Sequence, residues 1–454
     1  MTNFTRRSFL KAGSLGLIGL SAFPQTFAKD VYRPVSPEQI LNQIKLPIFP
    51  SREYVVTEFG AKGDGETECR AAFEEVINSC NQDGGGTVIV PEGSYWMEGP
   101  INLKSNVRLH VSEGATIKFS PDPNHYLPVV LTRWEGTELF NYSPMIYVYQ
   151  ATNVAITGRG TIHGNSETTF ATWKPNQDPD QLKLREMGND QVPVHERIFG
   201  DGHWLRPSMI QFWSCKNVLV EDVTIHDSPF WVIHPVYSTN VTVRNVYVDS
   251  WNANNDGVDP DSSVNVLVEN CRFETGDDSV AIKSGRDQDA WRIGQSTENV
   301  VVRNCQMNSE ANGLCIGSEM SGGVRNVFME NCRVGEVDSA IYFKANLDRG
   351  GHVENVWVRD ISVEDAEAMI RFTTDYHGYR GNHYPPTFRD FLIEDVSCQH
   401  AEIAIDAVGV PDAPLQNITL RNIAVEKADE VKEIKHTQNW TMENVSVNGQ
   451  SVTV

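Results

Sequence analysis

Cysteine is scarce in this sequence, and no long apolar run follows the first 24 residues. Eight cysteines among 454 residues are too few for a fold held together by disulfides. Beyond the N-terminal region, no segment has the length and apolarity of a membrane-spanning helix. These deficits exclude a small disulfide scaffold and an integral membrane protein, so we expect the mature protein to be soluble.

Basic residues are also under-represented. The chain has 38 Lys and Arg against 60 Asp and Glu, for a formal charge of −22. Such a chain binds nucleic acid or anionic membranes poorly, so neither is expected as a partner. An anionic ligand would have to be met by a local cluster of basic side chains. Because 40% of the residues are hydrophobic, the sequence predicts a large folded core.

The N-terminus has the features of an export signal. Thr5–Lys11 contains a pair of arginines, the largely apolar stretch Ser8–Pro24 follows, and Thr26–Ala28 offers small residues for cleavage. The pattern predicts a twin-arginine-type signal peptide at residues 1–28 and export to the periplasm or the exterior. The alternative, a short membrane anchor, is disfavoured because the apolar stretch is short and contains a lysine and a proline.

The body of the chain repeats one phrase, an asparagine followed by alternating apolar and polar residues. Clear copies are Asn217–Ile225, Asn240–Val248 and Asn265–Phe273. Further copies start at Asn299, Asn326, Asn355 and Asn417, weaker ones at Asp390 and Asn439, and earlier relatives at Asn106 and Asn153. From Asn217 onward the copies lie 22 to 35 residues apart. One group of short strands per repeat predicts an all-β, right-handed parallel β-helix.

Cysteines within the repeat support this stacking. Cys271, Cys305 and Cys332 each lie six residues after the asparagine of their copy, so we expect them to form one vertical column. A metal cluster is the functional interpretation. A stack of small buried side chains is favoured, because no histidine shares their position in the repeat.

An open solenoid end needs a cap. Glu66–Cys80 has the pattern of an amphipathic helix, and it precedes a strand at Gly86–Pro91, so we expect it to cover the N-terminal end. The sequence therefore predicts an N-terminal extension at residues 29–50 and a single catalytic β-helix domain at residues 51–454.

Three aspartates have the spacing of a catalytic cluster. When the repeats are aligned, Asp256 and Asp278 fall one above the other, roughly 4.8 Å apart, with Asp277 beside them. Lys283 and Lys344 border the same surface. Crowded carboxylates raise one another's pKa, which suits glycoside hydrolysis by a protonated donor and an ionised partner. A Ca²⁺ site or a solvated acidic turn is the alternative.

Several stretches resemble glycoside hydrolase family 28, the polygalacturonase family, particularly its bacterial members. They are Trp231–Pro235, Asn254–Asp259, Gly276–Lys283 and Gly317–Val327. The similarity extends from about Tyr54 to at least Asp360. The resemblance implies a pectin-lyase-like right-handed β-helix that needs no metal or other cofactor. It also implies hydrolysis of α-galacturonosyl linkages in a pectin-type polysaccharide, with inversion at the anomeric carbon.

By the same resemblance, Asp277 is the general acid, and Asp256 and Asp278 position and deprotonate the water. Two positions depart from the family pattern. Ala311 stands where the family has a histidine, and Tyr342 stands where it has the arginine of an Arg-x-Lys pair that grips a uronate carboxylate. We therefore expect unbranched polygalacturonate to be a poorer substrate than a more complex galacturonide. The alternative is that Arg286 or Arg349 reaches in and replaces the lost arginine.

The predicted substrate-binding residues are Lys283, Lys344, Arg286, His234 and Tyr342. For the lysines the alternative is a salt bridge to the aspartates, for Arg286 an ion pair within a loop, and for His234 a role as a satisfied wall histidine. Trp134, Trp204 and Tyr376 could stack on sugar rings, although aromatic residues on a β-helix more often serve packing.

Two insertions interrupt the repeat, at residues 164–206 and 375–387. Because they flank the aspartates on both sides, they could wall off the groove, so we expect exo-type action. Three rivals remain: a hydrolase of another glycan such as rhamnogalacturonan, a Ca²⁺-dependent lyase, and a non-catalytic β-helical glycan-binding protein.

Overall fold

The computed structural model describes residues 35–377, 380–381 and 383–453. The predicted signal peptide at residues 1–28 lies outside the described residues, as does the start of the predicted extension, residues 29–34. Among the described residues, no helix has the length and apolar character needed to cross a lipid bilayer.

Strands make up most of the fold. Before the first insertion they are β1 (Glu53–Val55), β2 (Asp64–Glu68), β3 (Gly86–Val90), β4 (Gly93–Met97), β5 (Ile101–Leu103), β6 (Val107–Val111), β7 (Ala115–Phe119), β8 (Val130–Trp134), β9 (Thr137–Asn141), β10 (Ile146–Tyr149), β11 (Thr152–Thr157) and β12 (Thr161–His163). The central strands are β13 (Ile210–Trp213), β14 (Lys216–Glu221), β15 (Thr224–His226), β16 (Ile233–Val236), β17 (Thr239–Arg244), β18 (Tyr247–Ser250), β19 (Val264–Glu269), β20 (Arg272–Thr275), β21 (Val280–Ile282), β22 (Thr297–Arg303), β23 (Gln306–Ser309) and β24 (Asn312–Ile316). The last are β25 (Val324–Lys344), β26 (His352–Thr373), β27 (Thr387–Val408), β28 (Leu415–Lys435), β29 (Thr437–Val447) and β30 (Gln450–Ser451).

The strands stack coil upon coil in parallel, which confirms the predicted right-handed β-helix. Val218 of β14 pairs with Val241 of β17, and Val241 pairs with Val266 of β19. In β25 to β28 the three strand segments of each coil are continuous, so each of these strands runs for 21 or 22 residues. Side chains at equivalent positions therefore form vertical columns.

The repeated asparagine holds the bend that starts each coil. Asn217, Asn240 and Asn265 have φ values of 57°, 58° and 60°, a left-handed conformation that asparagine tolerates better than most residues. The side-chain amide of Asn240 donates to Asn217 Oδ1 at 2.9 Å, and that of Asn265 donates to Asn240 Oδ1 at 3.2 Å. This asparagine ladder explains why the repeat begins with that residue.

Apolar columns fill the interior. The valines at positions 218, 241, 266, 300 and 327 are all fully buried, as the alternation predicts. Cys271, Cys305 and Cys332 are buried free thiols in the coil positions expected of a column. They pack as small core side chains.

The four α-helices of the described residues are α1 (Pro37–Leu41), α2 (Arg70–Gln82), α3 (Asp178–Asn189) and α4 (Asp287–Ile293), and short 3-10 helices lie at Val56–Phe59, Pro123–Tyr126, Phe170–Asn176 and Val194–Glu196. The predicted capping helix is α2, but it begins at Arg70 and not at Glu66. The reason is that Asp64–Glu68 forms β2, which pairs with β4. The buried face of α2, which includes Phe73 and Val76, packs on the first coils. Likewise β1, which pairs with β3, precedes the strand expected to be first.

The segment before the first coil lies along the outside of the solenoid. Helix α1 begins with a capping box, in which the Ser36 side chain accepts from the Gln39 backbone N–H. Ile40 is fully buried there against Leu267, Val301 and Phe328 of three successive coils.

Segments outside the repeat gather over one face. The antiparallel hairpin of β8 and β9, and the insertion 164–206 with α3, both leave the N-terminal coils. The segment between β26 and β27 approaches from the other side: Arg380 Nη1 donates to Asn189 Oδ1 at 2.9 Å and to Gln288 Oε1 at 2.6 Å. These contacts join the segment that contains Arg380 to α3 and α4 above the central coils, and we call this covering layer the roof.

Candidate active site

The register predicted for the aspartates is confirmed. Val258 bridges Val280 in parallel, which places Asp256 and Asp278 at equivalent positions of adjacent coils. One carboxylate oxygen each of Asp256, Asp277 and Asp278 lies within 4.8 Å of the others. The turns that precede these strands therefore deliver three acidic side chains to one point.

Two lysines flank the aspartates. Lys344 Nζ lies 3.0 Å from Asp278 Oδ2, and Lys283 Nζ lies 3.4 Å from Asp256 Oδ2. Both lysines are nearly buried and both line the same cavity as the aspartates. The geometry thus combines the two interpretations of these lysines: they form salt bridges with the cluster, and they remain at a surface that a ligand can reach.

The carboxyl groups differ in protonation. Burial raises the pKa of Asp256, and the neighbouring charge of Asp277 adds to this effect. Burial and the charge of Asp278 raise the pKa of Asp277. Burial also acts on Asp278, but Lys344 and Lys283 outweigh it and lower the pKa of that carboxyl. The cluster can therefore hold a proton on the Asp256–Asp277 pair while Asp278 stays ionised.

Hydrogen bonds orient two of the three aspartates. Asp277 Oδ2 accepts from Asn254 Nδ2 at 3.2 Å, and its Oδ1 accepts from the Asp278 backbone N–H at 2.9 Å. Asp278 Oδ1 accepts from Asn312 Nδ2 at 2.5 Å. Asp277 is the most exposed of the three acids, so it presents its carboxyl to the cavity.

A cavity of about 250 Å³ lies above the cluster. Besides the aspartates, Lys283 and Lys344, it is lined by Glu135, Lys174, Gln181, Arg185, Trp231, Asn254, Arg286, Ser318, Glu319, Arg349, Tyr376 and His377. Six of the lining side chains are lysine or arginine, and five are acidic. This is the local basic cluster that an anionic ligand of so acidic a protein requires.

Two glutamates hold the arginines in place. Arg286 Nη2 lies 2.5 Å from Glu319 Oε1 and 3.2 Å from Glu135 Oε2. Glu135 also pairs with Arg185 at 2.8 Å, and Glu319 lies 3.6 Å from Arg349. Arg286 is thus an ion-pair partner, as one interpretation expected, and it also lines the cavity. Both arginines proposed to replace the missing family arginine are present at the site.

His234 lies one layer behind the cavity. It is fully buried, its Nδ1 is 3.0 Å from Gln211 Nε2, and its Nε2 is 3.6 Å from Asp261 Oδ2. The ring packs edge-on against Trp231 and does not line the cavity. This geometry is that of the wall histidine, and it offers no surface for the substrate contact that the sequence suggested.

Tyr342 also lies outside the cavity lining. It occupies the wall next to Cys315 and is 8% exposed. Its ring meets that of Tyr376 edge-on, with centroids 6.2 Å apart. Tyr376 lines both the cavity and a second depression that Tyr342 borders, so the two tyrosines mark the boundary between them.

The aromatic candidates divide between packing and the cavity. Trp134 is buried and stacks on Phe230, whereas Trp204 is 39% exposed and outside the cavity lining. Tyr376 lines the cavity, as does Trp231, whose ring centroid lies 4.8 Å from Lys283 Nζ.

Five lining residues escaped the sequence analysis because they belong to segments without a repeat, and one of them, His377, lies in the insertion 375–387. Glu135 comes from the turn of the β8–β9 hairpin, and Lys174, Gln181 and Arg185 come from the insertion 164–206. The insertion itself was the available signal. Asn254 lies within one of the stretches that carry the family resemblance, and Asn312 was not singled out, although each donates to an aspartate.

The donor set of the cluster suits proton transfer better than metal binding. Three carboxylates so close together could ligate a cation. However, the ammonium groups of Lys344 and Lys283 already neutralise Asp278 and Asp256.

Comparisons with known proteins show the family of this chain. The family model for glycosyl hydrolases family 28 matches residues 80–454. The crystal structure of a hyperthermoactive exopolygalacturonase from Thermotoga maritima is 43% identical and aligns with a TM-score of 0.88 over 91% of this chain and 96% of that chain. A probable polygalacturonase of Vitis vinifera is 28% identical over 419 residues, 88% of this chain and 78% of that protein. An exo-poly-alpha-D-galacturonosidase of Dickeya chrysanthemi is 26% identical over 436 residues, 88% of this chain and 68% of that protein.

The family model spans most of the chain, and the motifs that suggested the resemblance form the carboxylate cluster and its rim. This chain therefore belongs to glycoside hydrolase family 28.

Proposed function

We propose that the protein is an exo-acting, inverting hydrolase that removes a terminal α-galacturonosyl residue from pectin-type oligo- and polysaccharides. The observation that carries this proposal is the position of the cluster Asp256, Asp277 and Asp278 at the floor of a basic cavity that two insertions enclose.

The protonation pattern supports this chemistry, because the Asp256–Asp277 pair can hold a proton while Asp278 stays ionised. Asp277 donates its proton to the glycosidic oxygen as the bond from that oxygen to C1 breaks. A water held by Asp256 and Asp278 attacks C1 and gives up a proton to this pair. The products are a free sugar and a shortened chain with a new hydroxyl group. The pair then releases this proton to solvent, and Asp277 takes one up from solvent.

The basic side chains favour a sugar acid in the enclosed part of the cavity. Arg185, Arg286 and Arg349 approach from three different segments, and Lys174 stands at the same rim. A charge-assisted hydrogen bond to a carboxylate contributes about 1.5–3 kcal/mol. Tyr342, which stands in place of the family arginine, lies outside this lining. The similarity to exo-acting galacturonan hydrolases supports the same substrate class.

Exo action is supported by the enclosure. The insertion 164–206 contributes Lys174, Gln181 and Arg185 to the lining, and the segment after β26 contributes Tyr376 and His377. The bonds from Arg380 to Asn189 and Gln288 join that segment to α3 and α4. A polymer cannot pass through such a site, whereas its end can enter it.

The stereochemistry of cleavage is a sharp test of the proposal, because the carboxylate spacing alone would favour retention over inversion. The nearest oxygens lie within 4.8 Å, less than the roughly 6.5–9.5 Å usual between two inverting carboxyl groups. We propose that the pair Asp256 and Asp278 shares the water, which allows a shorter spacing. The first anomer seen by proton NMR decides it: β-galacturonate from an α-linked substrate supports inversion, and α-galacturonate overturns it.

Product analysis on end-labelled tetragalacturonate tests the function as a whole. We expect galacturonate to be released stepwise from the unlabelled non-reducing end, with little loss of viscosity in polymer solutions. Mixed internal cleavage products would refute exo action. Unsaturated products that disappear with chelator would show a lyase, and binding without turnover would show a glycan-binding protein.

We further propose that residues 1–28 direct export. The paired arginines at positions 6 and 7 support this, and export suits a polysaccharide substrate. Replacing both arginines by lysine should retain the protein in the cytoplasm, as cell fractionation would show. Unchanged export of this variant would contradict the twin-arginine assignment.

A further inference from the structure

We propose that the site prefers a substrate whose sugar on the leaving-group side is uncharged, either a methyl-esterified galacturonosyl residue or a neutral sugar such as rhamnose. This inference rests on the proposed function, because it assumes that a terminal galacturonosyl residue occupies the enclosed cavity. It concerns the sugar beyond the bond that is cut.

The fold shows where that sugar must lie. The hairpin of β8 and β9 and the insertion 164–206 cover the N-terminal side of the aspartates, and Arg133 of the hairpin reaches Asp261 at 3.0 Å. On the other side, the wall continues as the paired strands β25, β26 and β27. The chain that leaves must therefore run over those strands, where a depression of about 440 Å³ adjoins the cavity.

Among the described residues, the first position on that side has an aromatic ring and no guanidinium group that is free of carboxylate partners. Tyr342 lies one coil after Cys315, and Tyr376 crosses its edge. Lys344 is the cation next to them, with its Nζ 5.4 Å from the Tyr342 ring, but it pairs with Asp278 at 3.0 Å. A pyranose ring can pack on the tyrosines, while a carboxylate there would have to compete with Asp278 for Lys344.

The next coil supplies an arginine that is already neutralised. Arg371 pairs with Tyr342 in the strand register, and its guanidinium carbon lies 5.7 Å from the tyrosine ring. Its Nε donates to Asp406 at 2.9 Å, its Nη2 to Glu367 at 3.0 Å and its Nη1 to Ser339 at 3.1 Å. Two carboxylates thus engage the one guanidinium group of this depression.

Acidic side chains dominate the remainder of the depression. Asp375, Asp406 and Glu433 line it together with Arg371 and His377. A second uronate carboxylate would lie among these acids, and the repulsion would be strongest at low ionic strength. The enclosed cavity is lined by six Lys and Arg side chains and five acidic ones, whereas one Arg and three acidic side chains line this depression, so the two sides favour different sugars.

Three disaccharides with the same terminal residue test the inference: digalacturonate, its methyl ester on the leaving residue, and galacturonosyl-rhamnose. We expect kcat/KM for at least one uncharged leaving sugar to exceed that for digalacturonate by about tenfold, the size of one charge-assisted bond. Whichever of the two is favoured identifies the source of the uncharged ring. Equal or faster cleavage of digalacturonate overturns the inference and leaves the proposed function intact. Release of galacturonate from none of the three would overturn both.

A substitution provides the converse test. Tyr342→Arg should raise kcat/KM on digalacturonate and shrink the preference for the uncharged sugars. Tyr149→Arg is the matched control, because Tyr149 is an exposed tyrosine of β10 outside the cavity lining. An unchanged preference in a folded Tyr342→Arg variant would contradict the inference. If that variant does not fold, the wild-type series still decides.

Discussion

The same coils build the wall that carries the asparagine ladder and the cavity above the aspartates. Stacking of identical side chains is favourable in the wall and unfavourable in the cavity. On the wall, the side-chain amide of Asn299 donates to Asn265, and that of Asn326 donates to Asn299, each at 3.0 Å. Each polar group meets a copy of itself one coil away. In the cavity, stacking like on like instead brings Asp256 above Asp278, where identical charges repel.

The contrast shows how a repeat protein makes a site. Stacking identical amides satisfies donors and acceptors, so the ladder stabilises the fold. Stacking identical carboxylates perturbs their pKa values; Lys283 and Lys344 of the same coils pair with them, and the non-repeating segments add further cations around the cavity. The reactive face is therefore the place where the repeat supplies the charge and the insertions complete it.

The largest expected effect is at the cavity. Asp277→Asn removes the proposed proton donor and keeps its shape, so kcat should fall by about 10²–10⁴ while the fold is retained. Asp412→Asn, in an exposed turn, is the control and should behave as wild type. Near-full activity of the Asp277 variant on a poor leaving group, measured by galacturonate release, would show that another group donates the proton.

The reverse pattern is expected on the wall. Asn265→Ala removes one donated and one accepted hydrogen bond and leaves a non-glycine residue at φ 60°. The free energy of unfolding should fall by about 1–3 kcal/mol with kcat unchanged, as denaturant unfolding and kinetics would show. Asn444→Ala removes an exposed side chain that donates to Asn422, so the free energy of unfolding should fall by less. Lost activity in the folded Asn265 variant would break the separation of wall and cavity.

The pH profile links the cation to the carboxylates. Lys344 lowers the pKa of Asp278, and the proposed mechanism uses an ionised Asp278 and a protonated Asp277. Without the ammonium group, in Lys344→Met, the pKa of Asp278 rises, so the acid limb of the profile moves to higher pH. Lys344 also lowers the pKa of Asp277, so the alkaline limb moves in the same direction. Lys216→Met, at an exposed position of β14, should leave the profile unchanged. A uniform loss of rate with an unshifted acid limb would show that Lys344 serves only substrate binding.

The smallest effect is expected at the roof. Arg380→Ala removes the bonds to Asn189 and Gln288, so the enclosure should loosen, KM should rise by a few-fold and some internal cleavage should appear. Viscosity change relative to reducing sugar released measures the shift. Arg389→Ala, which removes an exposed ion pair with Glu354, is the control. A strictly exo product pattern would show that the insertions enclose the site without this contact.

The fold and the aspartate cluster could be predicted because both are properties of the repeat. The period sets the coil, so alignment of the copies was sufficient to place Asp256 above Asp278 and to put the lysines on the same face. The helix boundary at Arg70 was less accessible, because Asp64–Glu68 has few apolar residues and becomes a strand only by pairing with β4.

The remainder of the site could not be predicted for a definite reason. Glu135 and Arg185 belong to segments without a register, so no alignment indicates which residues they meet. His234 shows the opposite limit: its motif is close to the aspartates in sequence, but the strand turns its side chain behind Trp231. The separation of two residues in the sequence does not tell how deeply each side chain is buried in the coil.

The short helix α1 has a consequence for cooperativity. In a solenoid each coil contacts only its neighbours, so terminal coils can fray independently. Ile40 instead joins the chain before the first coil to Leu267, Val301 and Phe328, far along the sequence. Opening the middle coils therefore requires α1 to detach from them. Hydrogen exchange in α1 and in the middle coils should be correlated.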